Sequence, residues 1–211
     1  MVKIKICGLR RLEDIEIVNK YKPDFIGFVF AKSKRQISLE EAKLLKEKLD
    51  KEIKVVGVFV NESATNIKRY IDAKVIDYVQ LHGNEGRELI SELKTYNIPI
   101  IKAISVREKS QLIEELSSLE DLHIDYYLFD TYNSNAYGGS GLRFDWKLLE
   151  GIVSNLKVPY FLAGGIGASN IMEALEQAPF AIDLSSKLET NGFKDQSKIR
   201  EVIKIVKNNK R

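Results

Sequence analysis

Cysteine, histidine and proline are scarce in this chain. One cysteine, two histidines and four prolines occur among 211 residues. A single cysteine cannot form a disulfide within the chain, and one cysteine with two distant histidines lacks the ligand spacing of a zinc site. We therefore expect a free thiol, no bound metal and a reducing compartment, which is typical of the cytoplasm.

Long hydrophobic runs and a large net charge are also missing. No stretch approaches the roughly 18 apolar residues of a membrane-spanning helix, and the first residues alternate lysine with isoleucine, unlike a secretory signal. Lysine and arginine (33) nearly balance aspartate and glutamate (30), which leaves a net charge of +3. We therefore expect neither a membrane nor a nucleic-acid partner, whereas a small anionic ligand is compatible with this composition.

Short β-branched or aromatic segments alternate with amphipathic segments rich in lysine and glutamate. The predicted strands cover residues 3–7, 25–30, 54–60, 77–81, 100–105, 126–130, 160–164 and 181–185. The predicted helices cover residues 12–20, 39–50, 63–72, 86–96, 108–119, 145–155, 169–177 and 195–208. Helix starts are indicated by Ser38, with Glu41 at capping-box spacing, and by Ser63 and Ser169.

Eight strand–helix units in a chain of this length predict an α/β protein with a TIM (β/α)8 barrel. A hydrophobic content of 44% is sufficient for one core, so we expect residues 1–211 to form a single domain. The alternative is an open doubly wound sheet. The first strand, however, lacks the G-x-G-x-x-G turn that opens a dinucleotide site in such sheets.

Reactive residue types follow several of the predicted strands. Cys7 ends the first strand, Arg35 follows the second, His82 follows the fourth, Asp130 ends the sixth and Asp183 lies in the eighth. Each alone has an ordinary structural explanation, since a lone cysteine at a strand end is more often a small apolar residue than a catalytic thiol. Because the C-terminal strand ends of a TIM barrel share one face, their joint occurrence predicts a single site there.

Glycine and serine residues follow the last two strands. Gly164 and Gly165 lie in "AGGIG" at residues 163–167, and Ser185 with Ser186 follows the eighth strand. Glycine lets backbone N–H groups approach an anion closely, and a following helix N-terminus favours negative charge. Loops in these positions form the recurring phosphate site of TIM barrels. The sequence therefore predicts a small phosphorylated ligand.

Motifs distributed along nearly the whole chain occur in the order of a known family. They are "KICG", "IGFVF", the "SKR-IS" loop, "VQLHG", "LFDT", "YGGSGLRFDW", "LAGGI" and "DLSS" followed by "G-KD". In this combination the chain resembles the phosphoribosylanthranilate isomerases of tryptophan biosynthesis. The resemblance implies an isomerase that interconverts an aldose and a ketose, without metal or organic cofactor. It would convert N-(5-phosphoribosyl)anthranilate to the 1-deoxyribulose form by an Amadori rearrangement.

The resemblance also implies a role for each candidate residue. Asp130 would be the general acid that opens the furanose ring, and Cys7 would be the general base that takes the proton from the sugar C2. An ordinary thiol pKa of about 8.5 is close enough to neutrality for this role if neighbouring cations favour the thiolate. Arg35 would bind the anthranilate carboxylate, because a guanidinium can bond a carboxylate through two N–H groups. The expected substrate contacts are His82 and Asp183, with the phosphate at Gly164, Gly165, Ser185 and Ser186.

Three positions depart from the family pattern. Lys34 stands where proline is common, Ser140 replaces a usual threonine, and Lys187 occupies a usual glycine position. Lys187 matters most, because lysine adopts a positive φ less easily than glycine, so it is expected either to contact the phosphate or to leave it to the Gly164–Gly165 loop. The glycine-rich segment at residues 137–141 is expected to cover the site.

Two other functions fit parts of the pattern. The sugar isomerase of histidine synthesis performs the same type of rearrangement with aspartates on strands one and five, where this chain has Cys7 and Ile104-Ser105. A non-catalytic barrel that binds a phosphorylated metabolite would keep Arg35 and the glycine loops but would not need Cys7 and Asp130 together. Either a monomer or a homodimer is compatible with the sequence.

Overall fold

Eight parallel strands close into a barrel in the computed structural model, which describes residues 1–131 and 144–209. The strands are β1 (Lys3–Cys7), β2 (Phe25–Val29), β3 (Lys54–Phe59), β4 (Tyr78–Leu81), β5 (Ile100–Val106), β6 (Tyr126–Thr131), β7 (Tyr160–Leu162) and β8 (Ala181–Leu184). Each strand pairs with its neighbours in the chain, and β1 pairs with β8. The predicted TIM barrel is confirmed.

Helices follow the strands on the outside of the barrel. They are α1 (Leu12–Tyr21), α2 (Leu39–Lys48), α3 (Ala64–Asp72), α4 (Arg87–Lys94), α5 (Lys109–Leu119), α6 (Ile171–Glu176) and α7 (Gln196–Asn208). Ser38 and Ser63 are the N-caps of α2 and α3, as predicted, and their hydroxyl oxygens accept hydrogen bonds from the third residue on. Within the described residues, no helix has the length and apolar character needed to span a membrane.

Two predicted helices differ in the structure. The segment 145–155 forms two 3-10 helices, Trp146–Leu149 and Val153–Asn155, because Gly151 between them adopts a φ of +74° that an α-helix cannot continue. Helix α6 begins after Asn170 rather than Ser169. The Asn170 side chain bonds the Gly167 N–H and the Gly165 carbonyl, so it belongs to the preceding turn.

A short antiparallel hairpin between β8 and α7 is absent from the predicted elements. It consists of β9 (Glu189–Thr190) and β10 (Phe193–Lys194). Asn191 and Gly192 form its turn with φ values of +52° and +77°. An Asn-Gly pair with two positive φ angles favours a type I′ hairpin, so this element had a sequence signal that the helix–strand pattern obscured.

Aromatic residues close one end of the barrel interior. Phe25 packs edge-on against Tyr78 and Phe161, with ring centroids 5.4 and 5.5 Å apart, and Tyr126 and Phe180 complete the cluster. These residues lie at or near the N-terminal ends of their strands. The aromatic cluster fills the N-terminal end of the barrel, whereas the cavity at the other end is lined by both polar and apolar side chains.

Candidate active site

One cavity at the C-terminal ends of the strands contains every residue that the sequence proposed for the site. Catalytic, substrate-binding and phosphate-binding candidates all line it: Cys7, Arg35, His82, Asp130, Asp183, Gly164, Gly165, Ser185 and Ser186. Because β1, β4, β6, β7 and β8 run parallel in a closed barrel, their ends bring these side chains to one rim although they are far apart in the chain.

The Cys7 thiol is buried at the end of β1, opposite Gly27 on β2. The absence of a side chain at Gly27 makes room for it, since a Cβ atom there would lie 2.6 Å from Sγ. Burial raises the pKa of Cys7 above its ordinary value, even though Lys5, Lys194 and Arg35 oppose this rise. Cations that favour the thiolate are therefore present around Cys7, and burial opposes their effect.

Asp130 contacts His82 inside the cavity. The Asp130 Oδ2 atom lies 3.3 Å from His82 Nε2, and Oδ1 accepts a hydrogen bond of 2.7 Å from the Thr131 N–H. On the other side of the imidazole, Gln80 Nε2 lies 2.7 Å from Nδ1. The imidazole ring is thus held between the Gln80 amide and the Asp130 carboxyl group. This contact fixes the orientation of the carboxyl group at the cavity wall.

Arg35 is held by the β9–β10 hairpin. Its Nε and Nη2 atoms donate hydrogen bonds of 2.7 and 2.8 Å to the two carboxylate oxygens of Glu189, which raise the pKa of Arg35. Lys194 donates to the same carboxylate at 2.8 Å. The arginine side chain crosses over Gly8, whose φ is +86° and where a Cβ atom would lie 2.4 Å from Arg35 Cδ. Only glycine adopts this φ readily and leaves room for the arginine, so Gly8 is required for this position of Arg35.

Asp183 forms an ion pair with a buried lysine rather than lying free at the rim. The Lys5 ammonium donates to Asp183 Oδ2 at 2.7 Å, and the two residues lie side by side on β1 and β8. Among the described residues, Asp183 Oδ1 is buried and has no hydrogen-bond partner. One carboxylate oxygen is thus fixed by Lys5, and the other, buried and without a partner in the described part of the chain, belongs to a residue that lines the cavity.

The phosphate candidates form a turn and a 3-10 helix beside the cavity. Gly164 has a φ of +90°, and a Cβ atom there would lie 2.3 Å from the Thr131 hydroxyl oxygen. Across residues 1–131 and 144–209, the N–H groups of Gly164, Gly165 and Ile166 donate to no protein acceptor. Unpaired N–H groups on a glycine turn are suited to an oxyanion.

Lys187 lies in the 3-10 helix Ser186–Leu188 and lines the cavity. It is not among the described residues with a positive φ. The expected conformational cost of lysine at this position is therefore absent, and its exposed side chain lies beside Gly167. The segment 137–141, expected to cover the site, lies outside the described residues, as does Ser140.

Four residues around the site were missed as site residues by the sequence reasoning. They are Lys5, Gln80, Glu189 and Lys194, which hold Asp183, His82 and Arg35. A signal existed for Lys5, because alternation along a strand places it on the same face as Cys7. Gln80 shares a face with His82 by the same rule. Glu189 and Lys194 flank the overlooked Asn-Gly turn.

A closed (β/α)8 barrel whose mouth holds a thiol, a carboxyl–imidazole pair and a glycine turn with N–H groups unpaired among the described residues has the architecture of the TIM-barrel enzymes, whose active sites lie at this end of the barrel. A family model described as N-(5'phosphoribosyl)anthranilate (PRA) isomerase matches residues 4–205. The chain belongs to this family. It isomerises N-(5'-phosphoribosyl)anthranilate, a step of tryptophan biosynthesis.

Known proteins resemble the chain over its whole length. The N-(5'-phosphoribosyl)anthranilate isomerase of Thermoanaerobacter pseudethanolicus is 46% identical over 208 residues, which is 98% of each chain. The solved phosphoribosyl anthranilate isomerase of Thermotoga maritima is 34% identical, with a TM-score of 0.88 over 99% of this chain and 100% of that one. Another solved structure, at 34% identity, TM-score 0.85 and the same coverage, holds reduced 1-(o-carboxyphenylamino)-1-deoxyribulose 5-phosphate.

Proposed function

We propose that Asp130 is the general acid and Cys7 the general base of the isomerisation. Asp130 gives a proton to the furanose ring oxygen, and the C1–O bond breaks to leave a protonated Schiff base. The Cys7 thiolate then takes the proton from C2, and the electron pair of that bond moves to give an enolamine, which tautomerises to the ketone. The supporting observation is that both groups line one cavity with an arginine and an anion-binding turn.

The same cavity accommodates the rest of the substrate. Arg35 uses two of its five N–H groups on Glu189, which leaves others for the anthranilate carboxylate. His82 and the free oxygen of Asp183 contact the sugar, whose hydroxyl groups can serve as donors. The phosphate lies on the N–H groups of Gly164 and Gly165, with Ser185 and Ser186 from the following loop.

An activity assay tests the function as a whole. Purified protein is expected to convert phosphoribosylanthranilate without added metal, and the loss of anthranilate-type fluorescence follows the reaction. Activity is expected to persist with a chelator, and expression is expected to restore growth of a tryptophan auxotroph lacking the isomerase. Full loss of activity with chelator would contradict the proposal that acid–base groups suffice, and absence of any conversion would contradict the assignment itself.

Lys187 is proposed to add positive charge to the phosphate site. Lys187→Met, which keeps chain length and removes the charge, is expected to weaken competitive inhibition by inorganic phosphate about fivefold, since an exposed ion pair contributes up to about 1 kcal/mol. The charge-conserving Lys187→Arg is the control and is expected to retain inhibition. Equal inhibition of the wild type and Lys187→Met would assign the phosphate to the glycine turn alone.

We further propose that residues 1–211 act as one catalytic domain in the cytoplasm, as a monomer or a homodimer. The described catalytic and binding candidates all come from a single chain, so the site needs no residue from a second chain and is compatible with either form. The proposed partner is the phosphorylated substrate, with no nucleic acid or membrane involved.

A further inference from the structure

A lysine is enclosed in the barrel directly below the proposed base. Lys5 and Cys7 are two residues apart on β1 and face inwards together, and the lysine is 0% exposed to solvent. Burying an ammonium group is costly unless it is paired, and an apolar pair of similar size is often as stable as a buried ion pair. Packing alone therefore gives no reason for a lysine here.

The Lys5 ammonium group is paired with one acidic group and lies on the same strand face as another. It donates to Asp183 Oδ2 at 2.7 Å, and Cys7 is the next residue on that face of β1. Burial opposes its charge, but Asp183 and Cys7 outweigh burial and raise the pKa of Lys5. The lysine is consequently a positive charge inside the barrel whose position is fixed by Asp183.

The other cations near the thiol have a different counterion. Lys194 and Arg35 both act on Cys7, yet both form ion pairs with Glu189 at 2.8 and 2.7 Å. Lys5 has the largest favourable effect of the three on the thiolate, and Asp183 acts in the opposite direction. Because Lys5 and Cys7 are both buried, the interaction between the ammonium group and the sulfur is screened much less than it would be at the surface.

We propose that Lys5 is a positioning residue of the isomerase: its ammonium group, held by Asp183, stabilises the thiolate form of Cys7 against the effect of burial. This inference rests on the proposed role of Cys7 as the base. It assigns Asp183 a second role, because one of its oxygens orients Lys5 while the other remains available to the substrate.

The single cysteine makes the proposal directly measurable. Iodoacetamide alkylates only Cys7 in this chain, so the pH dependence of alkylation reports the ionisation of that thiol alone. In Lys5→Met the midpoint is expected to move to higher pH by about one unit, which slows alkylation at a fixed pH below it about tenfold. The kcat–pH profile is expected to move in the same direction, with KM little changed.

A matched lysine provides the control. Lys102 on β5 is also buried and ion-paired, with Glu85 at 3.0 Å, but no interaction joins it to Cys7 within the described residues. In Lys102→Met, the alkylation midpoint is expected to stay at the wild-type value. If Lys5→Met does not fold because Asp183 is left unpaired, the double variant Lys5→Met/Asp183→Asn removes both charges. Its midpoint is expected to lie above the wild-type value, because Lys5 has a larger effect on the thiolate than Asp183 does.

An unchanged alkylation midpoint and an unchanged kcat–pH profile in folded Lys5→Met would overturn the proposal and make Lys5 structural. Alkylation does not require turnover. Activity of a Cys7→Ala variant would therefore disprove the base assignment separately, whatever the effect of Lys5 on the thiol.

Discussion

Asp130→Asn is expected to lower kcat by about 10² to 10⁴-fold, the range that a positioned acid or base contributes. Asparagine has nearly the same shape and can keep the contact with His82, but it has no proton to give to the furanose ring oxygen. Ring opening then depends on water. Because the anthranilate and phosphate contacts remain, KM is expected to change little. A lower kcat at an unchanged KM indicates that the variant lacks an interaction made only in the transition state.

A second aspartate, at the other end of the strand that carries Asp130, provides a control for this variant. Asp125 precedes β6 at the opposite end of the barrel, where its carboxylate accepts hydrogen bonds from the Ile100 N–H and Lys94. Asp125→Asn is expected to reduce thermal stability and leave kcat near the wild-type value. Near-normal turnover of Asp130→Asn in the same fluorescence assay would show that another group is the acid.

Cys7→Ala is the second change with a large expected effect, a loss of kcat of about 10² to 10⁴-fold. Alanine fits the space beside Gly27 without strain but cannot accept the C2 proton. Cys7→Ser is expected to fail similarly, because a hydroxyl group does not ionise near neutral pH. Inhibition by inorganic phosphate and the circular dichroism spectrum should match the wild type, which separates loss of chemistry from loss of binding or folding.

The pH dependence of the wild type checks the same assignment. Burial raises the pKa of Cys7, and a base must be deprotonated to act. Iodoacetamide alkylation of the wild-type thiol is therefore expected to be slow at neutral pH and to accelerate above about pH 8, near the ordinary thiol value. An alkylation rate that is constant from about pH 6 to 9 would contradict a raised thiol pKa.

A high thiol pKa is consistent with the chemistry required. The C2 proton of a sugar is weakly acidic even beside a protonated Schiff base, and a thiolate of higher pKa is a stronger base towards it. The cost is a smaller fraction of thiolate at neutral pH. Lys5, Lys194 and Arg35 limit that cost, and their arrangement explains why a buried cysteine can have a chemical role here.

The barrel and the location of its reactive end could be predicted because both follow from local patterns. Alternation of apolar residues marks each strand, and the parallel order places Cys7 and Asp130 at the same end. The segment 145–155 shows where such patterns fail, since its apolar residues suit a helix that Gly151 interrupts. The hairpin at residues 189–194 was missed because each of its strands has only two residues.

The sequence by itself determined the family, the fold and the residue types at the barrel mouth. Only the tertiary structure decided how those residues are charged and paired. Arg35 meets Glu189 across 154 positions of chain, and Lys5 meets Asp183 across 178. Burial of Cys7 likewise arises from all the strands around it. The distances within these ion pairs and the exclusion of water from the thiol depend on closure of the whole barrel. No local pattern in the sequence contains this information.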